Sequence, residues 1–398
     1  MNILIVHNAY QQRGGEDIVV DAECALLREA GHQVQLYRRS NDELRHMSKL
    51  ATAGVALWNA QPAREIDDLC ADFRPQVLHV HNTFPLISPA FMRSVAQRGI
   101  PLVQTLHNFR LICPQGMLLR GQTICEDCVG GLPWRAVTRR CYRDSAAQSA
   151  VVAGMLGLHR ALGSYRDGVD QYIALNEFCR AKFIAGGLPA ERLRVKPHFA
   201  AAPTLADDGA RSGGLFVGRL SAEKGLELLA QAMADSPAAL NIIGDGPLKD
   251  MVTARFGSNY LGRQPRAQVT QAMQRAAWLV APSVCYETFG MNIIEAFACA
   301  TPVIASGHGG YAELVHDGVT GLLFNPGDAR DLAEKIAWAE AHPAHMRRMG
   351  EAARHEYCMR YTPQKNYGLL MEIYEHAIEQ RHRRRTTAPH GQSARRQH

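Results

Sequence analysis

Short apolar runs alternate with amphipathic stretches through the first half of the chain. The apolar runs favour buried strands, and an amphipathic helix over Ile18–Glu29 follows the first of them. The predicted strands are Asn2–His7, Val34–Tyr37, Val77–Val80, Leu102–Thr105 and Tyr172–Leu175. Strands that alternate with helices predict an α/β fold, in which a parallel sheet carries helices on both faces.

The pattern stops near Ala200–Gly213, where Ala, Pro, Asp, Gly and Ser gather without periodicity, and then starts again. The predicted strands of the second half are Leu215–Val217, Leu240–Ile243, Tyr260–Leu261, Trp278–Ala281, Pro302–Ala305 and Leu322–Phe324. We therefore predict two Rossmann-like domains, 1–200 and 201–365, facing each other across a cleft. A C-terminal helix, 366–380, would pack back on the first domain.

Length and composition agree with two globular domains. A chain of 398 residues is too long for one ordinary core, and its 46% apolar and 21% charged residues are typical of globular proteins. We find no run of the roughly 18 to 20 apolar residues that crosses a bilayer. The N-terminus is a strand pattern without a basic flank. We expect a cytoplasmic protein, with peripheral attachment to the inner membrane as an option.

The positive charge is concentrated at the C-terminus. The net charge is +6, and residues 381–398 contain six arginines and no acid, so the remainder is neutral. This distribution argues against a nucleic-acid partner. The segment predicts a disordered basic tail, which either contacts anionic lipid or another polyanion or is a solvated terminus.

The most informative stretch is a strand-to-helix turn that carries two carboxylates. Strand Trp278–Ala281 stops at Pro282, and Gly290 opens a helical pattern. Glu287 lies in the loop and Glu295 in the helix, where its side chain can lean back toward the same opening. The free amides near Gly290 and Met291, together with the helix dipole, suit a phosphate. A phosphate between hydroxyl-binding carboxylates indicates a nucleotide sugar.

A second loop of this domain carries two cations between glycines. Arg219 and Lys224 follow strand Leu215–Val217, where they could grip a diphosphate or be solvated charges of a helix-capping loop. Gly244 and Gly246 form a turn after the next strand, which alone is a weak signal.

Taken in order, these motifs resemble the retaining glycosyltransferases of family 4, whose two-domain architecture is called GT-B. The resemblance covers about residues 1–375 and is most specific in the second domain. The motifs are Arg219 with Lys224, Gly244-Asp-Gly246-Pro, Glu287-x7-Glu295, Pro302–Ser306 and Gly318-x-x-Gly321.

The resemblance implies a role for each matched residue. Arg219 and Lys224 would hold the donor diphosphate, Glu287 would contact the donor sugar, and Glu295 would bind the ribose. His107 would lie near the reacting centre, although a histidine in this position is otherwise a core or helix-cap residue.

The first domain shows one further match and two departures. Gly14 and Gly15 match the family's glycine loop, which opens the first helix toward the donor phosphates. Asn176 stands where Ser is more usual, and His198 stands where Asn is common. These departures affect acceptor or linker details rather than the diphosphate site.

The implied activity is a metal-independent, hexosyltransferase-type transfer from a nucleotide diphospho-sugar to a glycan or lipid-linked acceptor. Retention could arise from same-face attack or from double displacement on a carboxylate. A nucleotide-sugar epimerase, a phosphorylase and a non-catalytic nucleotide-sugar-binding subunit are the alternatives. The apolar helical stretch Val151–Tyr165 could meet a lipid-linked acceptor or pack within the first domain.

Four cysteines lie in an insert at about 110–145 of the first domain. Cys113, Cys125, Cys128 and Cys141 have the spacing Cys-x11-Cys-x2-Cys-x12-Cys. They could bind a structural zinc, remain reduced thiols, or have a redox or disulfide role. No cofactor is expected in catalysis. The surrounding sequence resembles a subgroup of these transferases from bacterial polysaccharide assembly, and the insert's position suggests that it shapes acceptor recognition.

Overall fold

The computed structural model describes residues 1–205 and 211–387, and it contains two six-stranded parallel sheets. The α/β prediction with two Rossmann-like domains is therefore confirmed. The strand order is β2-β1-β3-β4-β7-β8 in the first sheet and β11-β10-β9-β12-β13-β14 in the second.

The first domain supplies eight strands and seven helices. Its strands are β1 (Asn2–Ala9), β2 (Gln33–Ser40), β3 (Val77–Asn82), β4 (Leu102–Thr105), β5 (Leu119–Arg120), β6 (Thr123–Ile124), β7 (Gln171–Ala174) and β8 (Leu193–Val195). Its helices are α1 (Gly15–Glu29), α2 (Lys49–Leu57), α3 (Ala60–Phe73), α4 (Phe91–Arg98), α5 (Arg135–Thr138), α6 (Ala146–Ala161) and α7 (Glu177–Ala185). Strands β5 and β6 pair as a separate antiparallel hairpin within the cysteine insert.

The second domain and the C-terminal helices follow. The strands are β9 (Gly214–Val217), β10 (Leu240–Ile243), β11 (Tyr260–Gly262), β12 (Trp278–Ala281), β13 (Val303–Ser306) and β14 (Gly321–Phe324). The helices are α8 (Leu226–Ala232), α9 (Lys249–Phe256), α10 (Arg266–Arg275), α11 (Met291–Ala298), α12 (Gly309–Leu314), α13 (Ala329–Ala341), α14 (Pro343–Arg360) and α15 (Pro363–Thr387).

Strand β1 shows why its apolar run is continuous rather than alternating. Leu4 and Val6 pack into the core on one face of the sheet, and Ile3 and Ile5 pack into the core on the other. A central parallel strand is covered on both faces, so every position is apolar.

Helix α15 covers one face of the first sheet. It begins where the second domain ends, yet Leu370, Tyr374 and Ala377 are buried in the same cluster as Ile3 and Ile5. The polypeptide therefore crosses between the domains twice, once between β8 and β9 and once between α14 and α15.

The prediction of a disordered tail from residue 381 is wrong for its first seven residues. Helix α15 continues to Thr387, and Arg381 donates from Nε and Nη2 to Asp170 Oδ2 at 2.9 and 2.5 Å. Arg384 lies 3.3 Å from the other carboxylate oxygen. Asp170 is fully buried and needs a counter-charge, which Arg381 and Arg384 supply. Residues 388–398 lie outside the described part of the chain.

The helix predicted over Val151–Tyr165 begins and ends earlier in the structure, as α6 (Ala146–Ala161). Helix α6 starts after Ser145, whose hydroxyl accepts from the Gln148 amide, and ends at Ala161. It buries Val152, Met155 and Leu156 in the first core, which favours packing over lipid contact. No helix in residues 1–205 and 211–387 combines the length and apolar character needed to cross a membrane.

We expect Arg381→Met to lower the free energy of unfolding by about 3 kcal/mol, because it removes both charged hydrogen bonds to the buried Asp170 Oδ2. Urea denaturation measures the change. The matched control is Arg330→Met, since Arg330 is 89% exposed and pairs with Glu334 on a helix surface. The control should change the free energy by no more than about 0.5 kcal/mol, and an equal loss in both variants would contradict the prediction.

Candidate functional site

Glu287 is held in place by hydrogen bonds on both sides of its loop. Its Oε1 accepts from Lys224 Nζ and from Ser283 Oγ, each at 2.7 Å. The Gly310 amide donates to the Glu287 carbonyl at 2.9 Å, and a Cβ on Gly310 would lie 2.6 Å from that oxygen. A glycine at 310 therefore lets helix α12 begin directly against the loop that carries the carboxylate.

The contact between Lys224 and Glu287 was not predicted from the sequence, which assigned them to different parts of the donor. Both are partly accessible, with 29% and 16% of their side-chain surfaces exposed. Burial alone would lower the pKa of Lys224, but the Glu287 carboxylate raises it above its usual value. Lys224 is therefore a permanent cation whose charge is already partly offset before an anion arrives.

Arg219 is exposed on a loop that two glycines fix in place. The Gly218 amide donates to the Ile243 carbonyl and the Leu220 amide to the Asp245 carbonyl, at 3.1 and 3.0 Å. A Cβ on Gly244 would lie 1.9 Å from the Gly218 carbonyl oxygen, where only glycine fits.

Gly246 meets the same loop in the same way, since a Cβ there would lie 2.5 Å from the Leu220 carbonyl oxygen. Both glycines were predicted to bind the donor. In the structure, the close approach of their backbones to residues 218 and 220 positions the loop that carries Arg219.

Helix α11 begins at Met291 with Gly290 as its N-cap, and the Gly290 carbonyl accepts from Ile293 and Ile294. Glu295 lies one turn inside, 3.5 Å from Arg266 and with 29% of its side chain exposed. Burial raises the pKa of Glu295, and Arg266 partly opposes the shift. Glu295 lines a cavity of about 720 Å³ that also touches α10 and residues 201–204. Lys224 and Glu287 are not among the residues that line this cavity.

His107 meets the second domain directly. It follows β4 in the first domain, and its carbonyl accepts a hydrogen bond from Thr288 Oγ1 at 2.7 Å. Asn176 Nδ2 donates to the Thr288 carbonyl at 2.9 Å, while its Oδ1 caps α7 by accepting from the Cys179 amide. The residue after Glu287 therefore ties both domains together beside the candidate catalytic histidine.

Gly14 and Gly15 open helix α1, but their surroundings differ. The Gly14 amide donates to Asp17 Oδ2 at 2.8 Å, and Asp17 Oδ1 lies 2.8 Å from His7 Nε2. A Cβ on Gly15 would have no atom within 4 Å. The Gly14 amide is thus engaged within the protein, and Gly15 borders open space.

Sequence reasoning missed one acidic residue that joins the domains. Glu313 accepts from the Glu177 and Phe178 amides at 3.0 and 2.9 Å, which caps the first turn of α7 from the other domain. A helix start requires acceptors for its amides, but nothing local identifies a partner 135 residues away.

Two protein families match the chain, one on each domain. "Glycosyl transferase 4-like domain" matches residues 14–198, and "Glycosyl transferases group 1" matches residues 213–356. The chain belongs to the family 4 glycosyltransferases. The family assignment predicted from the motifs is confirmed.

Curated relatives agree with the family. The chain is 26% identical over 373 residues to the D-inositol 3-phosphate glycosyltransferase of Mycobacterium sp. (strain KMS), covering 84% of this chain and 80% of that one. It is 33% identical over 177 residues to glycosyltransferase MJ1178 of Methanocaldococcus jannaschii. It is also 35% identical over 150 residues to the sulfoquinovosyl transferase SQD2 of Arabidopsis thaliana. The last two matches span 43% and 36% of this chain, and 50% and 29% of the relatives' lengths.

Solved structures of the same fold are also similar. Sucrose-phosphate synthase from Thermosynechococcus elongatus matches with a TM-score of 0.72 and 19% identity over 95% of this chain and 99% of that one. Anabaena Alr3699/HepE in complex with UDP matches with a TM-score of 0.66 and 19% identity over 94% and 100%. These structures confirm the GT-B arrangement of the two sheets.

The four insert cysteines of this glycosyltransferase gather around one small cavity of about 20 Å³. All are free thiols, Cys113 and Cys128 are buried, and Cys125 and Cys141 are half-buried. Arg139 Nη1 lies 3.8 Å from Cys125 Sγ. Burial, assisted by the neighbouring thiols, raises the pKa of Cys128 to about 11. The pocket thus combines four zinc-type ligands with an arginine whose charge is paired with Asp127.

The sulfur atoms are not yet at ligand spacing. Within residues 1–205 and 211–387, the group of three or more metal-type ligand atoms within 4.8 Å of one another consists of Glu23, His79 and His81. A zinc ion would have to draw the sulfurs together and displace their protons. The zinc site stays a prediction, and we propose it for Cys113, Cys125, Cys128 and Cys141.

Metal analysis of protein purified without chelators tests the zinc proposal. We expect about one equivalent of zinc, lost in Cys128→Ser because a tetrahedral site needs all four ligands. Cys358→Ser is the matched control, since Cys358 is exposed and distant in sequence from the insert. Zinc well below one equivalent in the unmodified protein would end the proposal.

Proposed function

We propose that this protein transfers a sugar, with retention, from a nucleotide diphospho-sugar to a glycan or lipid-linked acceptor in polysaccharide biosynthesis. The observation that carries the proposal is the hydrogen bond from Thr288 Oγ1 to the His107 carbonyl. Thr288 follows Glu287, whose carboxylate accepts a hydrogen bond from Lys224. This contact joins a first-domain histidine to a second-domain cation and carboxylate at one place in the cleft. The similar HepE protein has been solved with UDP and with UDP-glucose, which supports a nucleotide-sugar donor.

The donor diphosphate would lie between the Arg219 loop and the start of α11. Arg219 is exposed and forms no ion pair with the residues that the structure describes, so its guanidinium is available to a phosphate. Lys224 adds a second cation, and the Met291 amide lies at the positive end of the helix dipole. These groups offset the charge that grows on the leaving diphosphate as the sugar C1–oxygen bond breaks.

Two protein cations at this position also support a transfer that needs no divalent ion. Turnover that persists in excess EDTA would be the expected sign. Loss of turnover that magnesium restores would overturn this part of the proposal.

The environment of Glu287 favours same-face attack over double displacement. Its Oε1 accepts from a lysine and from a serine hydroxyl, and both bonds stabilise the carboxylate in its resting form. A carboxylate stabilised in this way is a weaker nucleophile. In same-face attack the acceptor hydroxyl displaces the diphosphate from the side it leaves, and the departing phosphate oxygen takes the hydroxyl proton.

The acceptor and the membrane remain parts of the proposal. The cysteine insert lies in the first domain, the proposed acceptor side of the cleft, and this position supports a role in acceptor recognition. Cytoplasmic location with peripheral attachment to the inner membrane fits a lipid-linked acceptor. An anionic surface would be met by the basic C-terminal segment, most of which lies beyond the described residues.

Arg219→Ala should lower turnover of a labelled donor by at least about 100-fold, the usual effect of removing one group that stabilises developing negative charge. The melting temperature should not change, because Arg219 is exposed. Arg347→Ala, an exposed arginine on α14, is the control and should retain full activity. Near-native rates in Arg219→Ala would refute the assignment, and conversion of the donor to an epimer would indicate an epimerase.

Glu287→Gln and Glu295→Gln should separate chemistry from donor binding. Glu287 lies beside the reacting sugar, so its change should reduce kcat more than donor affinity. Glu295 would contact only the ribose, so its change should raise the donor Kd about tenfold, the loss of roughly one charged hydrogen bond. Calorimetry with UDP and initial rates give both values, and the opposite asymmetry would exchange the two roles.

A further inference from the structure

Four histidines form a continuous row through the first domain. His79, His81, His107 and His198, here called the histidine row, have successive ring centroids 4.3, 5.1 and 5.1 Å apart. His81 Nδ1 and His107 Nε2 are 2.8 Å apart. His79 and His81 are buried, whereas His107 is partly exposed at the cleft. The row therefore connects the interior to the candidate catalytic histidine.

A buried carboxylate faces the inner end of the row. Glu23 of α1 has a side chain that is 1% exposed, and its Oε1 lies 3.1 Å from His79 Nδ1 and 3.3 Å from His81 Nε2. Its Oε2 lies 3.0 Å from Lys196 Nζ. Burial alone would raise the pKa of Glu23, but Lys196 and His79 hold it well below its usual range. Glu23 is therefore an anion that can only accept hydrogen bonds.

His81 and His107 are neutral. Burial lowers the pKa of His81 to about 3, and burial together with His198 lowers the pKa of His107 well below its usual value. A neutral imidazole carries one proton, so one nitrogen donates and the other accepts.

These conditions determine which nitrogens carry the protons. His81 Nε2 and Glu23 Oε1 are both buried, and neither has an aligned hydrogen-bond partner in the described part of the chain. The facing carboxylate therefore attracts the His81 proton to Nε2, since two lone pairs at 3.3 Å would repel. His81 Nδ1 is then an acceptor, and His107 Nε2–H donates to it. His107 Nδ1 is left without a proton.

A metal ion at Glu23, His79 and His81 is the rival explanation, since their ligand atoms lie within 4.8 Å of one another. Lys196 opposes it, because its ammonium group is already the counter-charge of Glu23 and would repel a divalent cation. His79 Nδ1 is also 2.8 Å from the Tyr374 hydroxyl. The surroundings thus suit a proton-ordering role better than coordination.

We propose that Glu23 and His81 are positioning residues that keep His107 in its Nε2–H form, so that His107 Nδ1 accepts a hydrogen bond from a sugar hydroxyl in the cleft. The tautomer follows from the structure alone, and the sugar contact rests on the proposed function. His198 stacks on the His107 ring and meets Phe289 edge to face, and these contacts restrict the plane of the His107 ring.

Histidine ¹⁵N NMR on the full-length, unliganded protein reports the tautomers directly. We expect both His81 and His107 as Nε2–H forms, assigned by loss of a signal in His81→Phe and in His107→Asn. His159 is an internal reference, because its Nε2 lies 3.0 Å from the Leu57 carbonyl and must carry the proton.

Glu23→Gln provides the decisive change. Its amide oxygen would turn to Lys196 and its N–H to His81, so both His81 and His107 should become Nδ1–H forms while His159 stays unchanged. If Glu23→Gln does not fold, Glu23→Gln/Lys196→Met removes both charges. His81→Phe should then leave His107 as a mixture of tautomers. A wild-type His107 in the Nδ1–H form, or no change in these variants, overturns the proposal.

Two further measurements separate the alternatives. Glu23→Gln should keep the affinity for UDP but lower turnover of UDP-glucose by at least about tenfold, the effect of turning an acceptor into a donor beside a hydroxyl. If the unmodified protein does not turn over UDP-glucose, the NMR result still decides the tautomer. Failure of the proposed function can therefore be distinguished from failure of the tautomer proposal. One equivalent of metal that Cys128→Ser retains and Glu23→Gln loses would establish the rival metal site.

Discussion

The buried ion pair of Glu23 and Lys196 is the contact on which the arrangement of the first domain depends. Both side chains are 1% exposed, so each charge would be strongly destabilising without the other. Lys196 lies where the chain leaves β8 for the second domain, and it also lies 3.1 Å from Asn366 Oδ1 of α15. Asn366 in turn donates to the Pro197 carbonyl. One pair thus fixes the first helix, the chain that crosses to the second domain and the helix that returns.

The sequence predicts the parts of the site that depend on local pattern. The strand before Glu287, the glycine that opens α11 and the loop of Arg219 and Lys224 all follow from periodicity and turn chemistry, and the family resemblance supplies their order. Contacts between distant segments do not follow in this way. The Lys224–Glu287 pair joins residues 63 positions apart, and Thr288 reaches a carbonyl 181 positions away. Folding of the second domain brings the first pair together, and packing of the two domains brings Thr288 to the His107 carbonyl.

The basic C-terminus is a second case in which the sequence does not predict a contact between distant segments. Residues 381–398 contain six arginines and no acid, which is typical of a solvated segment. Their composition cannot predict a pairing with Asp170, which is buried in the first domain. Arg381 forms an ion pair with that carboxylate, and helix α15 continues to Thr387. His198 is comparable, because its departure from the usual family residue gains a meaning only when it is seen stacked against His107.

Helix α15 makes the first domain discontinuous in sequence. Its residues Leu370, Tyr374 and Ala377 cover the same sheet face as Ile3 and Ile5, although the entire second domain lies between them in the chain. Cutting the chain at the first crossing would therefore produce an N-terminal fragment with an uncovered apolar sheet face. The two domains therefore cannot be separated as independent folding units by a cut between β8 and β9, because the first domain is completed by residues from the C-terminal end of the chain.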